Sequence, residues 1–452
     1  MNCDLHTALL KHNQPVPRYT SYPTAPNFIQ KFAEGSVSDW LQSVEPGQPV
    51  SLYFHVPFCK KMCWYCGCNT KATAQYQPVE DYLVYLRKEI DLVSRHHQGR
   101  LDIAHIHFGG GSPSYIRPGD FIALMDHIRS RFNLLPDAEI AIELDPRETS
   151  EAKIAAYAKA GITRASLGVQ DFNRTVQKAI NRVQPLHLVY EAVETLRQYG
   201  ISAISFDLLY GLPNQTVASV KQSASLAAAL NPGRVALFGY AHVPWMKKHM
   251  RLIDEENLPG ALSRLEQFDV ARQTLRDKGY QEIGLDHFVR SDDEMANAHK
   301  ARRLQRNFQG YTTDGAGILI GLGPSAISSY GDGYSQNTPD LRGYIERIKE
   351  GRLPVAKGIE ITRDDRLRRD VISSLMCYGE VDLADIVAEH DCGEPDFSDE
   401  LNSLTELVTD GLVKVDGSRV SVIKNAPQAC RLVAAVFDTY LQPKKQQHAQ
   451  VA

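Results

Sequence analysis

Six short runs recur between residues 51 and 240, and a helical pattern follows each of them. The runs are Ser51–Val56, Ile103–Phe108, Glu139–Leu144, Arg164–Val169, Ile204–Leu209 and Val235–Tyr240. They are apolar or alternating and rich in β-branched and aromatic residues, which predicts strands. Between them Leu83, Leu86, Ile90 and Val93 share one helical face, as do Phe121, Leu124, Ile128 and Phe132. Val189, Ala192, Val193 and Leu196 form a third face, stopped by Gly200, and Thr216 can cap a helix carrying Val220, Ala224 and Ala227. Strictly alternating strands and helices imply a parallel sheet with right-handed crossovers. Six units are too few to close an eightfold barrel, so the expected class is α/β, an open (β/α)6 TIM-like partial barrel. Chemistry in such barrels sits at the C-terminal ends of the strands.

Directly after the first strand comes Cys59-Lys60-Lys61-Met62-Cys63-Trp64-Tyr65-Cys66-Gly67-Cys68, which holds half of the eight cysteines. Thiolates select soft metals and clusters, and three of them spaced C-x3-C-x2-C can reach three irons of one cubane from a short loop. A structural zinc site is the competing reading. Zinc sites, however, usually pair two knuckles across a spacer, and no second C-x2-C is present. Cys3, Cys377, Cys392 and Cys430 are scattered and read as buried or incidental thiols.

The other strand ends carry further candidates. Gly109-Gly110-Gly111-Ser112-Pro113 exposes backbone groups at close range, which suits a small polar ligand or merely a tight turn. Glu143 and Asp145 share a face after strand three, where a carboxylate can accept ribose hydroxyls or close a salt bridge. Asp207 lies inside an apolar run and needs a partner; Arg182 is the natural one. His105 and His107 have a ligand-like spacing, but no third ligand is evident, so satisfied pocket histidines are the better reading for them and for His55 and His242.

The composition is that of an ordinary globular chain of 452 residues, 43% hydrophobic and 23% charged. A net charge of −4 gives no global attraction to nucleic acid or anionic lipid. The N-terminus shows no apolar signal region and no run of about 18 apolar residues occurs, so a reduced cytoplasmic setting without membrane is expected. Residues 1–47 read as an extended N-terminal arm around the proline-bracketed Pro17–Ala25, and residues 48–300 as the barrel. Residues 301–359 read as an extension of it. Residues 360–452 read as a small α-rich, winged-helix-like domain with a hairpin around Asp416-Gly417. That last segment carries 10 basic against 17 acidic side chains, the wrong balance for phosphate, so a packing or lid role is expected rather than DNA binding. The tail Lys444–Ala452 reads as frayed.

The cysteine spacing after a first strand resembles the cluster motif of the radical S-adenosylmethionine (SAM) superfamily. The wider run CxxxCxxCGCN resembles one branch, the oxygen-independent coproporphyrinogen III oxidases. PRYTSYPTA at 17–25, GVQDFN at 168–173, INR at 180–182, SFDLLYGLP at 205–213, FGYAH at 238–242 and NFQGYTT at 307–313 resemble that branch in the same order. The resemblance implies a 4Fe-4S cluster on Cys59, Cys63 and Cys66, with Cys68 outside it. It also implies two SAM molecules: one on Tyr53, Tyr65, Gly110 and Glu143, the other on Gly111, Ser112, Gln170, Arg182, Asp207, Ala241 and Ile327. The implied reaction turns two propionates of coproporphyrinogen III into the vinyl groups of protoporphyrinogen IX through a 5′-deoxyadenosyl radical. A monomer served by a flavodoxin or ferredoxin system is implied as well. Arg18 and Arg306 are the candidate partners for substrate carboxylates, on charge alone. A heme-binding chaperone on the same scaffold, or another tetrapyrrole-modifying radical SAM protein, is the alternative.

Overall fold

Alternation along each expected strand places one set of residues on a helix-covered face and the other in a polar lumen. In the first strand, β1 (Pro49–Val56), Val50, Leu52, Phe54 and Val56 are buried in the main core with Val79, Leu83, Leu86 and Ile90 of the following helix. The computed structural model describes residues 3–97, 99–390 and 397–441, so Cys392 and the tail 444–452 lie outside the described residues. The other five strands are β2 (Asp102–Gly110), β3 (Asn133–Leu144), β4 (Arg164–Gln170), β5 (Ala203–Tyr210) and β6 (Arg234–Gly239), all parallel in the order β1 to β6. The helical faces read from the sequence are buried against them, and Thr216 accepts from Ser219 N at 3.1 Å in a capping box.

The sheet is larger than six strands. A seventh parallel strand, β7 (Ile318–Leu322), joins the outer edge of β1 with Ile320 opposite Leu52. Antiparallel strands Ile327–Tyr330, Gly333–Asn337, Val355–Glu360 and Ile29–Gln30 continue that edge, while His287–Val289 and Gln281–Ile283 extend the β6 edge. The partial barrel is therefore the centre of a thirteen-stranded sheet among the described residues.

The strip Pro17–Ala25 is non-helical up to the 3-10 turn at Ala25, but it is bent and not extended, with Tyr19 at φ +46 and bends over 20–23, and helices Cys3–Lys11 and Glu34–Gln42 flank it within the first 47 residues. Ala8, Leu9, Val16, Tyr19 and Tyr22 belong to one apolar cluster with Leu367, Val371, Leu375, Leu432 and Phe437. Arg431 donates to the carbonyls of Val16 and Pro17, and the Tyr19 hydroxyl donates to Asp438 at 3.1 Å. The N-terminal segment is thus part of the C-terminal core. That core carries the expected hairpin, Val413–Asp416 with Arg419–Val422, paired also to Glu380–Asp382.

One buried carboxylate ties β7 to the barrel. Glu89, on the helix Gln77–His96, accepts from Gly323 N at 2.7 Å, Asn337 Nδ2 at 2.7 Å and the Tyr344 hydroxyl at 2.6 Å. Burial pushes its carboxyl up to about 7 despite these donors. A raised acid destabilises the fold as it ionises, so wild-type stability should fall as pH rises from 4.5 to about 7. Glu89→Leu should make that slope shallower, with Asp207 still contributing to it, and leave three buried donors unpaired, costing about 3 kcal/mol. Guanidinium unfolding across that pH window checks both outcomes.

Candidate active site

Pro57 ends β1, and Phe58–Cys59 then pairs in parallel with Lys71–Ala72, so the cysteine loop leaves and returns at one point. Neighbouring strand ends hold it from outside. Trp64 N donates to Ile180 O at 3.0 Å, and Asn181 Nδ2 donates to Met62 O at 2.9 Å. From the segment after β6, Lys247 Nζ donates to Cys68 O at 2.9 Å and His249 Nε2 lies 2.8 Å from Cys66 O.

The loop forms one wall of a cavity of about 190 Å³ at the C-terminal end of the barrel. Cys59, Cys63, Cys66, Tyr65, Gly110, Gly111, Ser112, Glu143, Gln170, Arg182 and Asp207 all line it, as does Cys68. Tyr53 sits one layer below; its hydroxyl lies 3.1 Å from His55 Nδ1 and its ring stacks on His107. Ala241 and Ile327 do not line this cavity. Ala241 follows β6, and Ile327 opens the strand after β7, packed beside Phe28, Tyr334 and Ile361.

The glycine turn is required by close approach. A Cβ on Gly110, at φ +106, would fall 2.6 Å from the His55 ring, and one on Gly111 would fall 2.7 Å from Phe58 O. Gly111 N and Ser112 N instead donate to Val56 O and Phe58 O at 2.7 and 2.8 Å, fastening the turn to the cysteine loop. Gln170 adopts φ +66 where the β4–β5 register shifts, which aims the strand end into the cavity.

Arg182 pairs with Asp145, not with Asp207. Its Nη1 donates to Asp145 Oδ2 at 3.0 Å and its Nη2 to Gly168 O at 2.6 Å. Asp145 also clamps Arg147, whose Nη2 donates at 2.6 Å and whose backbone N donates at 3.0 Å. Burial opposes the Asp145 charge, but Arg182 and Arg147 hold its carboxyl at about 2. Both guanidiniums reach Cys63 Sγ, Arg147 at 3.4 Å and Arg182 at 3.5 Å. Arg147 escaped the sequence reading, although Asp145-Pro146-Arg147 directly follows β3, where the strand-end rule applies. Thr70, 3.2 Å from Cys59 Sγ, was also missed, and no spacing signal marks it.

Among the described residues Asp207 pairs with no arginine, and Ser166 Oγ lies 3.5 Å from its carboxylate. Burial and the nearby Glu143 push it up to about 7. Glu143 accepts from Gly110 N at 3.2 Å and lies 3.1 Å from His107 Nε2. His105 lies 3.4 Å from Asp314, so both lumen histidines have carboxylate partners.

Burial pushes the Cys59 thiol up to about 12, so a thiolate there needs a bound cation. Among the described residues no three His, Cys, Asp or Glu side chains converge on a point that would hold a single ion. Three sulfurs spread round one cavity, with two arginines against one of them, fit separate irons of a cluster better than one zinc. Arg182 Nε is buried without a partner, which leaves one donor free towards a bound group. Among the described residues, no helix is long and apolar enough to cross a membrane.

Residues 53–227 match the radical SAM superfamily. The chain is 44% identical over 449 residues to the oxygen-independent coproporphyrinogen III oxidase of Bradyrhizobium diazoefficiens, with 99% of each chain covered. It is 41% identical to the enzyme of that name from Escherichia coli K12, covering 96% of this chain and 95% of the relative. The solved structure of coproporphyrinogen III oxidase from Escherichia coli, a radical SAM enzyme, superposes with a TM-score of 0.91 at 39% identity, covering 96% of this chain and 99% of that one.

Cys59→Ala, Cys63→Ala and Cys66→Ala should each abolish the broad visible absorption gained on anaerobic reconstitution with iron and sulfide. Full iron and sulfide content in all three variants would reject the three sulfurs as ligands.

Proposed function

This chain belongs to the oxygen-independent coproporphyrinogen III oxidases, and we propose how its own residues carry out the oxidative decarboxylation of two propionates of coproporphyrinogen III to vinyl groups, giving protoporphyrinogen IX. The observation that carries the proposal is the joining of the cysteine loop, the glycine turn and the carboxylates after β3 and β5 in one cavity. Cys59, Cys63 and Cys66 would hold a 4Fe-4S cluster beside the place for SAM. When bound, cluster and SAM would supply the radical chemistry that turns a propionate into a vinyl group with loss of carbon dioxide.

The chain's part is binding, orientation and exclusion of water. Gly110 presents backbone to the methionine amino group, and Glu143, fixed by Gly110 N and His107, accepts ribose hydroxyls. Tyr53 and Tyr65 wall the same site. Gly111, Ser112, Gln170, Arg182 and Asp207 surround the place for a second SAM, with Ala241 and Ile327 at the more distant strand ends. Burial pushes the Asp207 carboxyl up to about 7, so it can donate as well as accept a hydrogen bond there. A reduced cytoplasmic setting and an external one-electron donor suit the cluster. Equilibrium dialysis of the reconstituted protein with labelled SAM should give two bound molecules per chain; a plateau at one would remove the second site.

The substrate's four carboxylates need cations beside the barrel mouth. Arg306 Nη2 donates to Arg18 O at 3.3 Å, and Arg18 Nη2 donates to Gly239 O, at the end of β6, at 2.9 Å. Burial opposes the Asp286 charge, but the His287 hydrogen bond first, and then Arg306 and Arg18, hold its carboxyl below the usual carboxylate range. Arg264 lies 5.6 Å over the Tyr210 ring at the end of β5 and makes no ion pair among the described residues. These three guanidiniums form the anion-binding rim of the proposal. Arg264→Gln should raise KM for coproporphyrinogen III about tenfold while leaving cluster content unchanged, since a charge-assisted hydrogen bond is lost. The decisive assay is anaerobic incubation with SAM, a reductant and coproporphyrinogen III, with separation of the porphyrins. Stoichiometric heme binding without SAM consumption would overturn the reading in favour of a chaperone.

A further inference from the structure

Beside the guanidiniums of the barrel mouth stands one carboxylate that the reaction has not yet been given a use for. Asp286 ends the turn Gly284–Asp286 next to β6, where its carbonyl accepts from Leu237 N at 2.7 Å. Tyr311 pins that turn. Leu285 N donates to the Tyr311 hydroxyl at 3.1 Å, and a Cβ on Gly284 would collide with the ring. Arg306 lies 4.4 Å over the same ring, and His287 meets it edge-on at 5.1 Å. His287 Nδ1 donates to Asp286 Oδ1 at 2.7 Å, which fixes the direction of the carboxylate. Oδ2 accepts no hydrogen bond among the described residues, although the side chain is only 18% exposed. Arg18 and Arg306 donate to backbone carbonyls and Arg264 lies over the Tyr210 ring, so among the described residues none of the three closes an ion pair on Asp286. The deeper acids are engaged: Asp314 by Ser51 and Ala316 N, Glu139 by Arg164, Asp293 by Arg234.

A porphyrinogen carries its charges and its donors in different places. Its propionates lie on the periphery and its four pyrrole N–H groups at the centre. Saturated bridging carbons let the pyrroles tilt, so several N–H groups can point to one face. A planar porphyrin keeps two inner N–H groups, both held in the ring plane. Guanidiniums with one acceptor-only group beside them match the reduced macrocycle and not the oxidised one. We infer that Asp286 determines specificity for the reduced macrocycle, its Oδ2 accepting pyrrole N–H groups of coproporphyrinogen III while Arg18, Arg264 and Arg306 take propionates. The inference rests on the reading of this rim as the substrate's seat. A half-buried acceptor left without its donor is costly, and that cost is what rejects the porphyrin.

The test uses the reconstituted full chain without SAM, so that no substrate is consumed. Coproporphyrin III is titrated by its fluorescence anisotropy, and coproporphyrinogen III is measured anaerobically by displacing it. The wild type should bind the porphyrinogen at least about tenfold more tightly than the porphyrin. Asp286→Asn keeps the shape and an acceptor oxygen for His287 but turns the second oxygen into a donor. It should weaken coproporphyrinogen III about tenfold and change coproporphyrin III by less than about twofold. Arg264→Gln should weaken both ligands alike, since both carry the propionates. Equal affinity of the wild type for the two macrocycles would overturn the inference, a result that needs no variant. So would an Asp286→Asn protein that keeps the wild-type preference, or one that loses both ligands equally, since Asp286 would then only organise the arginines. A wild type that binds neither macrocycle would overturn the inference together with the functional reading.

Discussion

Asp145 is the hinge of the site's electrostatics. It stands just past the end of β3, is nearly buried, and stays ionised because two guanidiniums share it. Arg147 comes from the turn beside it and Arg182 from beyond β4, so one carboxylate joins two strand ends and presents both arginines to Cys63 on a third. In the proposed cluster site, hydrogen bonds to the Cys63 sulfur would lower its charge density and fix its direction, the two quantities through which a protein tunes a cluster. A buried pair is fragile when one partner goes, because the survivor keeps an uncompensated charge. The same feature makes Asp145 a point of control: its loss would free two arginines and unseat a cysteine together.

The polar lumen explains why these strands look half-polar for a parallel barrel. Helix-facing positions such as Ala165, Leu167 and Val169 of β4, or Ile204, Phe206 and Leu208 of β5, are buried and apolar. Their lumen-facing neighbours, Ser166, Ser205 and Asp207, leave room and hydrogen-bonding groups for a ligand. Such a lumen is costly to close without a partner for each group. Asp207 expresses that cost as a carboxyl held near neutrality, and Glu143 avoids it by engaging Gly110 and His107.

How much of this was legible depended on whether an interaction was local. The six strands and their helices could be read because a period of two changes to a period of 3.6 within each unit. The cysteine loop and glycine turn were legible for the same reason: spacing alone brings their groups together. β7 was not. Ile318–Leu322 is a run of five buried residues with no alternation, and its parallel pairing to β1 spans more than two hundred residues. Arg182 was assigned to Asp207 because both needed a partner, and sequence cannot say which of two carboxylates lies nearer. The helix Cys3–Lys11 was hidden because Ala8 and Leu9 find their apolar partners only in the C-terminal core.

That shared core changes what the N-terminal arm can do. An extended strip on a surface could move freely, but Tyr19 and Tyr22 are anchored by Asp438 and Thr439, and Arg431 holds the Val16 and Pro17 carbonyls. Arg18, between those anchors, is the residue turned instead to the barrel, where it meets Gly239 O and takes Arg306 on its own carbonyl. The C-terminal residues therefore fix the strip that sets Arg18 at the end of β6. What that core supplies is a buried face on which the strip Pro17–Ala25 cannot slide.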